Sequence, residues 1–171
     1  LERPDLLRRY HAEHVVLRRR AFVTYMLDED AVLVRPGSLV EPLRALSDAV
    51  GIWYRDEYDR GEGAHVIPFD TERELRLVVP HGAPYKREGC FEEGSPSSVA
   101  FRPMQFAYAV LDWEAWELRV NADTKGQLDM LRQFVGSYLF AQPNMFCQRE
   151  KYTLDPLREG RRSLVCTDVP G

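Results

Sequence analysis

The run from Asp56 to Glu74 is the densest collection of proton-transfer and hard-metal groups in the chain. Asp56, Glu57, Asp59 and Glu62 are followed by His65, Asp70, Glu72 and Glu74. A metal-assisted hydrolase or nuclease needs two or three such carboxylates converging on one cation, which then activates water or clamps a phosphate. Glu57, Asp59, His65 and Asp70 are the residues that would take those roles. The nuclease-like pattern of a strand Asp, then Glu, one residue and Lys is missing. Glu117-Leu118-Arg119 carries Arg in place of Lys, and Glu72-Arg73-Glu74 carries Glu. Acidic residues this frequent usually make a solvated surface, and that reading is preferred here.

Other chemistry-bearing residues stand alone. Cys90 has Lys86 and Arg87 nearby, which favour a thiolate, and His81 lies nine positions upstream as a candidate base. Nothing else in the surrounding residues supports a nucleophile, so a passive loop thiol is expected. His11 and His14 are three apart and lack the Glu and the four-residue spacing of a helical zinc motif. Gly61-Glu62-Gly63 lacks the third glycine and the strand-to-helix setting of a phosphate loop. No metal and no cofactor is expected.

Two stretches could bind without catalysing. Arg8, Arg9, Arg18, Arg19 and Arg20 make a basic patch near the N-terminus, which reads first as a solvated face and second as a phosphate or acidic-partner site. Pro80 to Ser98 reads as a long irregular polar loop with Gly82, Pro84, Gly89, Gly94 and Pro96. Such loops are usually functional or disordered. Tyr85, Lys86, Arg87 and Phe91 give it aromatic and cationic handles of the kind that make hot spots. Glu88, Glu92 and Glu93 offset the positive charge. A protein partner, or a neighbouring domain of the same chain, is therefore expected over nucleic acid.

Composition agrees with a binding domain in a reducing compartment. The 171 residues are 44% hydrophobic and 29% charged, with a net charge of -4, so no basic field recommends nucleic acid. Three well-separated cysteines argue against a disulfide framework and for the cytoplasm. No apolar run approaches the length of a membrane helix. The chain starts at Leu1 and ends just after the strand-like Ser163 to Val169, so we expect a single domain, residues 1–171, excised from a longer protein.

The elements that must position these residues follow from periodicity. Leu6, Leu7, Tyr10 and His14 predict an N-terminal helix from about Pro4 to Val15. Ala21 to Leu27 and Ala31 to Val34 predict a hairpin around Asp28-Glu29-Asp30. Ser38 with Glu41 predicts a capping box before a helix over Leu39 to Val50, closed at Gly51. Trp53 to Gly63 reads as a loop or an irregular extension of that helix. Ala64 to Phe69 and Glu74 to Val79 read as strands. Phe101 to Leu111 and Trp116 to Val120 predict a second hairpin. Thr124-Lys125-Gly126-Gln127 predicts a capping box opening a helix over Lys125 to Phe140. Trp113, Trp116 and Tyr108 are expected to complete a core. The result is an α+β fold, an antiparallel sheet of hairpins packed by two main helices plus the N-terminal one. The expected function is a non-catalytic recognition or regulatory domain of a larger cytosolic protein. The metal-assisted hydrolase is the alternative.

Overall fold

A computed structural model describes residues 22–57 and 59–148. The expected N-terminal helix, the arginines from Arg8 to Arg20, the His11/His14 pair and Cys166 lie outside them. The strands are β1 (Val23–Leu27), β2 (Ile67–Asp70), β3 (Glu74–Gly82), β4 (Lys86–Glu92), β5 (Ser95–Phe101), β6 (Met104–Asp112), β7 (Leu118–Asn121) and β8 (Phe146–Cys147). Two helices, α1 (Val40–Asp56) and α2 (Lys125–Phe140), complete the described fold. Six strands form one sheet in the order β2-β3-β6-β7-β1-β8, and every pairing in it is antiparallel. The fold is α+β.

The core follows from the period-2 alternation of the strands. Leu75, Leu77 and Val79 of β3 lie opposite Leu111, Ala109 and Ala107 of β6, all buried on one face. The helices close that face. Leu46, Val50 and Tyr54 from α1, and Met130, Leu131, Val135 and Leu139 from α2, join those strand residues in a single cluster. The other face carries a smaller cluster of Val78 and Tyr108, flanked by Phe22, Ile67, Phe69 and Phe106. Trp113 and Tyr108 are buried, and Trp116 packs edge-on to Trp113. The hydrophobic bodies of these rings serve the core, as expected.

The two helix starts differ. At α2 the Thr124 hydroxyl accepts from the Gln127 N–H, and the Gln127 side chain accepts from the Thr124 N–H. At α1 the expected box does not form. The N-cap position falls on Leu39, with no side-chain cap bond, and Glu41 instead binds Arg44. Gly51 does not end α1, which runs on to Asp56. Gly51 lies at a close approach instead, where a Cβ would sit 3.0 Å from the Ala64 carbonyl oxygen.

Two further expectations are corrected. Ala31 to Val34 is not a strand, and β1 pairs with β7 and β8 instead. At Val32 the Gln142 side chain takes up the hydrogen bonds a strand partner would have made. Its Oε1 accepts from the Val32 N–H at 2.9 Å, and its Nε2 donates to the Val32 carbonyl at 3.0 Å. Nor is Pro80 to Ser98 irregular. β3 continues through Pro80, which lies beyond the end of β2, where β3 needs no N–H for a ladder. The remainder is the hairpin β4–β5, with Lys86 opposite Phe101 and Glu92 opposite Ser95.

Candidate interaction surface

The β4–β5 hairpin rises from the junction of β3 and β6. Its turn explains why so polar a sequence forms strands at all. Glu93 and Gly94 both have positive φ, 51° and 81°, the type I′ geometry whose twist matches that of the flanking strands. Seven residue pairs then zip from Glu92–Ser95 to Lys86–Phe101. At about 3.3 Å per residue, the arm reaches roughly 20 Å beyond the sheet.

The root is a bulge. Gly82 pairs with Met104 and Lys86 pairs with Phe101, so Ala83, Pro84 and Tyr85 face only Arg102 and Pro103. Such a mismatch bends and twists a ladder. One backbone bond crosses it, from the Ala83 N–H to the Pro103 carbonyl at 2.8 Å. Arg102 braces it. Its guanidinium lies 4.2 Å from the Tyr85 ring centroid and donates to the Asp59 carbonyl at 2.7 Å. Arg102 and Asp59 therefore connect the arm to the segment that follows α1.

Large apolar side chains are exposed along the arm, as Val32, Val34 and Val40 are elsewhere. Phe91 is 80% exposed and Tyr85 68%. Val99, Phe101 and Met104 are exposed as well. Cross-strand pairing sets the faces. Arg87, Gly89 and Phe91 share one face of the hairpin with Ala100, Ser98 and Pro96. Lys86, Glu88, Cys90 and Glu92 share the other with Phe101, Val99, Ser97 and Ser95, and Lys86 pairs with Glu88 along it. Of the four expected binding residues, Arg87 and Phe91 lie on one face, Lys86 lies on the opposite face, and Tyr85 sits in the bulge. Phe101, Val99, Pro96 and Arg102 were not among the expected binding residues. The Glu93-Gly94 dipeptide between two seven-residue segments was the signal that could have found them.

The acidic candidates take separate neighbours. Glu57 lies exposed at the end of α1. Asp59 adopts a positive φ and meets Arg102. The His65 Nδ1 is 2.8 Å from the Gly63 carbonyl oxygen. Asp70 accepts from the Trp113 indole at 3.3 Å and faces Arg35. Among the described residues, no three His, Cys, Asp or Glu side chains are grouped to hold a metal.

A concavity of about 590 Å³ is lined by Thr71, Glu72, Arg73, Glu74, Arg76 and Asp112. Its charges already compensate one another. Glu74 is held between Arg76 and Arg119, and Arg73 faces Glu114. Asp112 accepts from the Ala115 and Glu114 N–H groups, which hold its carboxyl below the ordinary value. This groove therefore offers an incoming ligand little unpaired charge.

No family model, curated protein or solved structure matches the chain. Among the described residues, no helix is long and apolar enough to cross a membrane.

Proposed function

We propose that this is a non-catalytic recognition domain that engages a protein partner through the β4–β5 arm. The observation that carries the reading is the exposure of large apolar side chains along one projecting element. Tyr85, Phe91, Val99, Phe101 and Met104 lie on the arm or at its root. These side chains are spread over both faces of the arm and its root, and exposed aromatic and Arg side chains of this kind supply hot spots. A two-stranded hairpin is marginal in isolation, so a partner that covers it gains surface and stabilises it together. The hydrolase alternative has less behind it: Asp59, His65 and Asp70 each meet a different neighbour.

The test places a photo-crosslinking phenylalanine analogue at position 91 of the full-length natural protein in its own cells. A control places it at Val40, which is 73% exposed on α1. A discrete protein adduct from position 91 and none from position 40 is the expected result. Equal labelling from both, or none from position 91, would remove the arm as the recognition element.

A further inference from the structure

We propose that the partner of the arm is a second copy of this chain, joined edge to edge through β4 about a two-fold axis at Gly89. The inference rests on reading the arm as the recognition element and adds what the arm recognises.

The first observation concerns edges. Among the described strands, β2 and β8 are outermost in the main sheet. Pro68 interrupts β2, and β8 is only two residues long. In the arm, β5 carries Pro96 at its second residue, whereas β4 has seven residues and no proline. Proline, brevity and charged side chains are the usual devices that stop edge strands from pairing. β4 lacks the first two and carries only the third, in Lys86, Arg87, Glu88 and Glu92, so its charges decide which strand can pair with it.

The turn then decides which groups of β4 are offered. In a two-residue hairpin the closing pair, here Glu92 and Ser95, exchanges its backbone bonds across the hairpin. The pattern alternates along the strand. Cys90, Glu88 and Lys86 therefore bond inward, and Phe91, Gly89 and Arg87 point their N–H and C=O groups outward. An antiparallel partner strand uses all three residues when the axis passes through Gly89. Gly89 then meets Gly89 of the second copy, and Arg87 meets Phe91 of the second copy.

Charge selects the same register. Lys86 falls opposite Glu92 of the second copy, and the symmetry makes that pair twice. Arg87 comes beside the Phe91 ring of the second copy, a cation and an aromatic face that attract. A shift of two residues one way sets Glu88 opposite Glu92 of the second copy, and the other way sets Glu88 opposite Glu88. Like charges directly opposite each other destabilise a sheet. The arm is basic at its root and acidic at its tip, so it complements an inverted copy of itself. The product is a four-stranded sheet, β5-β4-β4-β5. Its small area implies reversible association.

The experiment measures sedimentation of the full chain from about 1 μM to about 1 mM, the range in which such contacts dissociate. Wild type should form a concentration-dependent dimer. Lys86→Glu alone and Glu92→Lys alone should each weaken it by about tenfold or more, because each places two like-charged pairs in register. Mixing the two variants should restore dimerisation, since every pair in the mixed species is then complementary. A wild type that stays monomeric throughout overturns the inference, as does a dimer indifferent to both variants or a mixture that fails to recover. The crosslink at position 91 separates this failure from that of the broader reading. An adduct with a different protein sinks self-association and leaves the arm as the recognition element, and the absence of any specific adduct sinks both.

Discussion

The β3–β6 and β4–β5 ladders are successive halves of one long hairpin, and they are built in opposite ways. In the lower half, Leu75, Leu77, Val79, Ala107, Ala109 and Leu111 lie buried against the helices. In the upper half nearly every residue of both strands is exposed. Both halves keep antiparallel register. The lower ladder is held mainly by apolar surface removed from water. The upper is held by its turn, by cross-strand contacts and by continuity with the ladder below. Strand geometry and burial are therefore separate properties, and in this molecule each half of one element illustrates one of them.

The largest expected effect breaks the lower half. Leu77→Ala empties a site that is 1% exposed and should cost about 2–5 kcal/mol in denaturant unfolding. Phe91→Ala in the upper half should stay within about 0.5 kcal/mol. Similar costs at the two sites would show that the arm is packed, contrary to this account.

Next comes the joint. Arg102→Ala removes the stack on Tyr85 and the bond to the Asp59 carbonyl, together worth about 1–2 kcal/mol. Amide exchange should accelerate through β4 and β5 and remain slow in β3. Uniform acceleration across both ladders would mean that the halves open as one unit.

At the tip, Gly94 has a φ of 81°, which a side chain disfavours. Gly94→Ala should cost about 1 kcal/mol, seen as faster exchange within the arm at an unchanged global melting temperature. A fall of several degrees in that temperature would couple the tip to the core.

The smallest effect is at the opposite end of the lower ladder. Asp112 titrates below its ordinary value because the Ala115 and Glu114 N–H groups bind its carboxylate. A depressed native pKa contributes stability that is complete above the unfolded-state value, near 3.8. That contribution fades as pH falls through the lower native value. In Asp112→Asn the amide oxygen can still accept those bonds, but the part that depends on the carboxylate charge is lost, so stability at neutral pH should fall modestly towards the wild-type value in acid. The acid decline of the melting temperature below about pH 4 should be shallower in the variant. An identical decline would assign the acid sensitivity to other carboxylates.

Where apolar periodicity and local chemistry coincided, the fold was legible in the sequence. The Thr124–Gln127 box opens α2 where its side chains predict. The alternation through Leu118-Arg119-Val120 marks a strand. Where the two parted, tertiary contacts decided. Ser38 and Glu41 have the right spacing, but α1 begins one residue later than such a box requires. Ala31 to Val34 is apolar and β-prone, yet Gln142, more than a hundred residues away, occupies the backbone groups of Val32 at its centre. The arm was hidden because it has no apolar stripe and is punctuated by glycine and proline, the signals that normally mark a loop. Its handles were visible as residue types. Their faces were not, because cross-strand register assigns them, and register depends on a turn whose identity had first to be recognised.

The bulge at the root has a further consequence for how such a protein could change over generations. Three residues, Ala83 to Tyr85, span the distance that Arg102 and Pro103 cover on the other side. Losing or gaining a single codon there would alter the bend of the ladder while leaving every pair of β3–β6 and β4–β5 intact. The direction in which the arm points can thus be inherited separately from the packing that keeps the domain folded and from the strand pairing that gives the arm its grip.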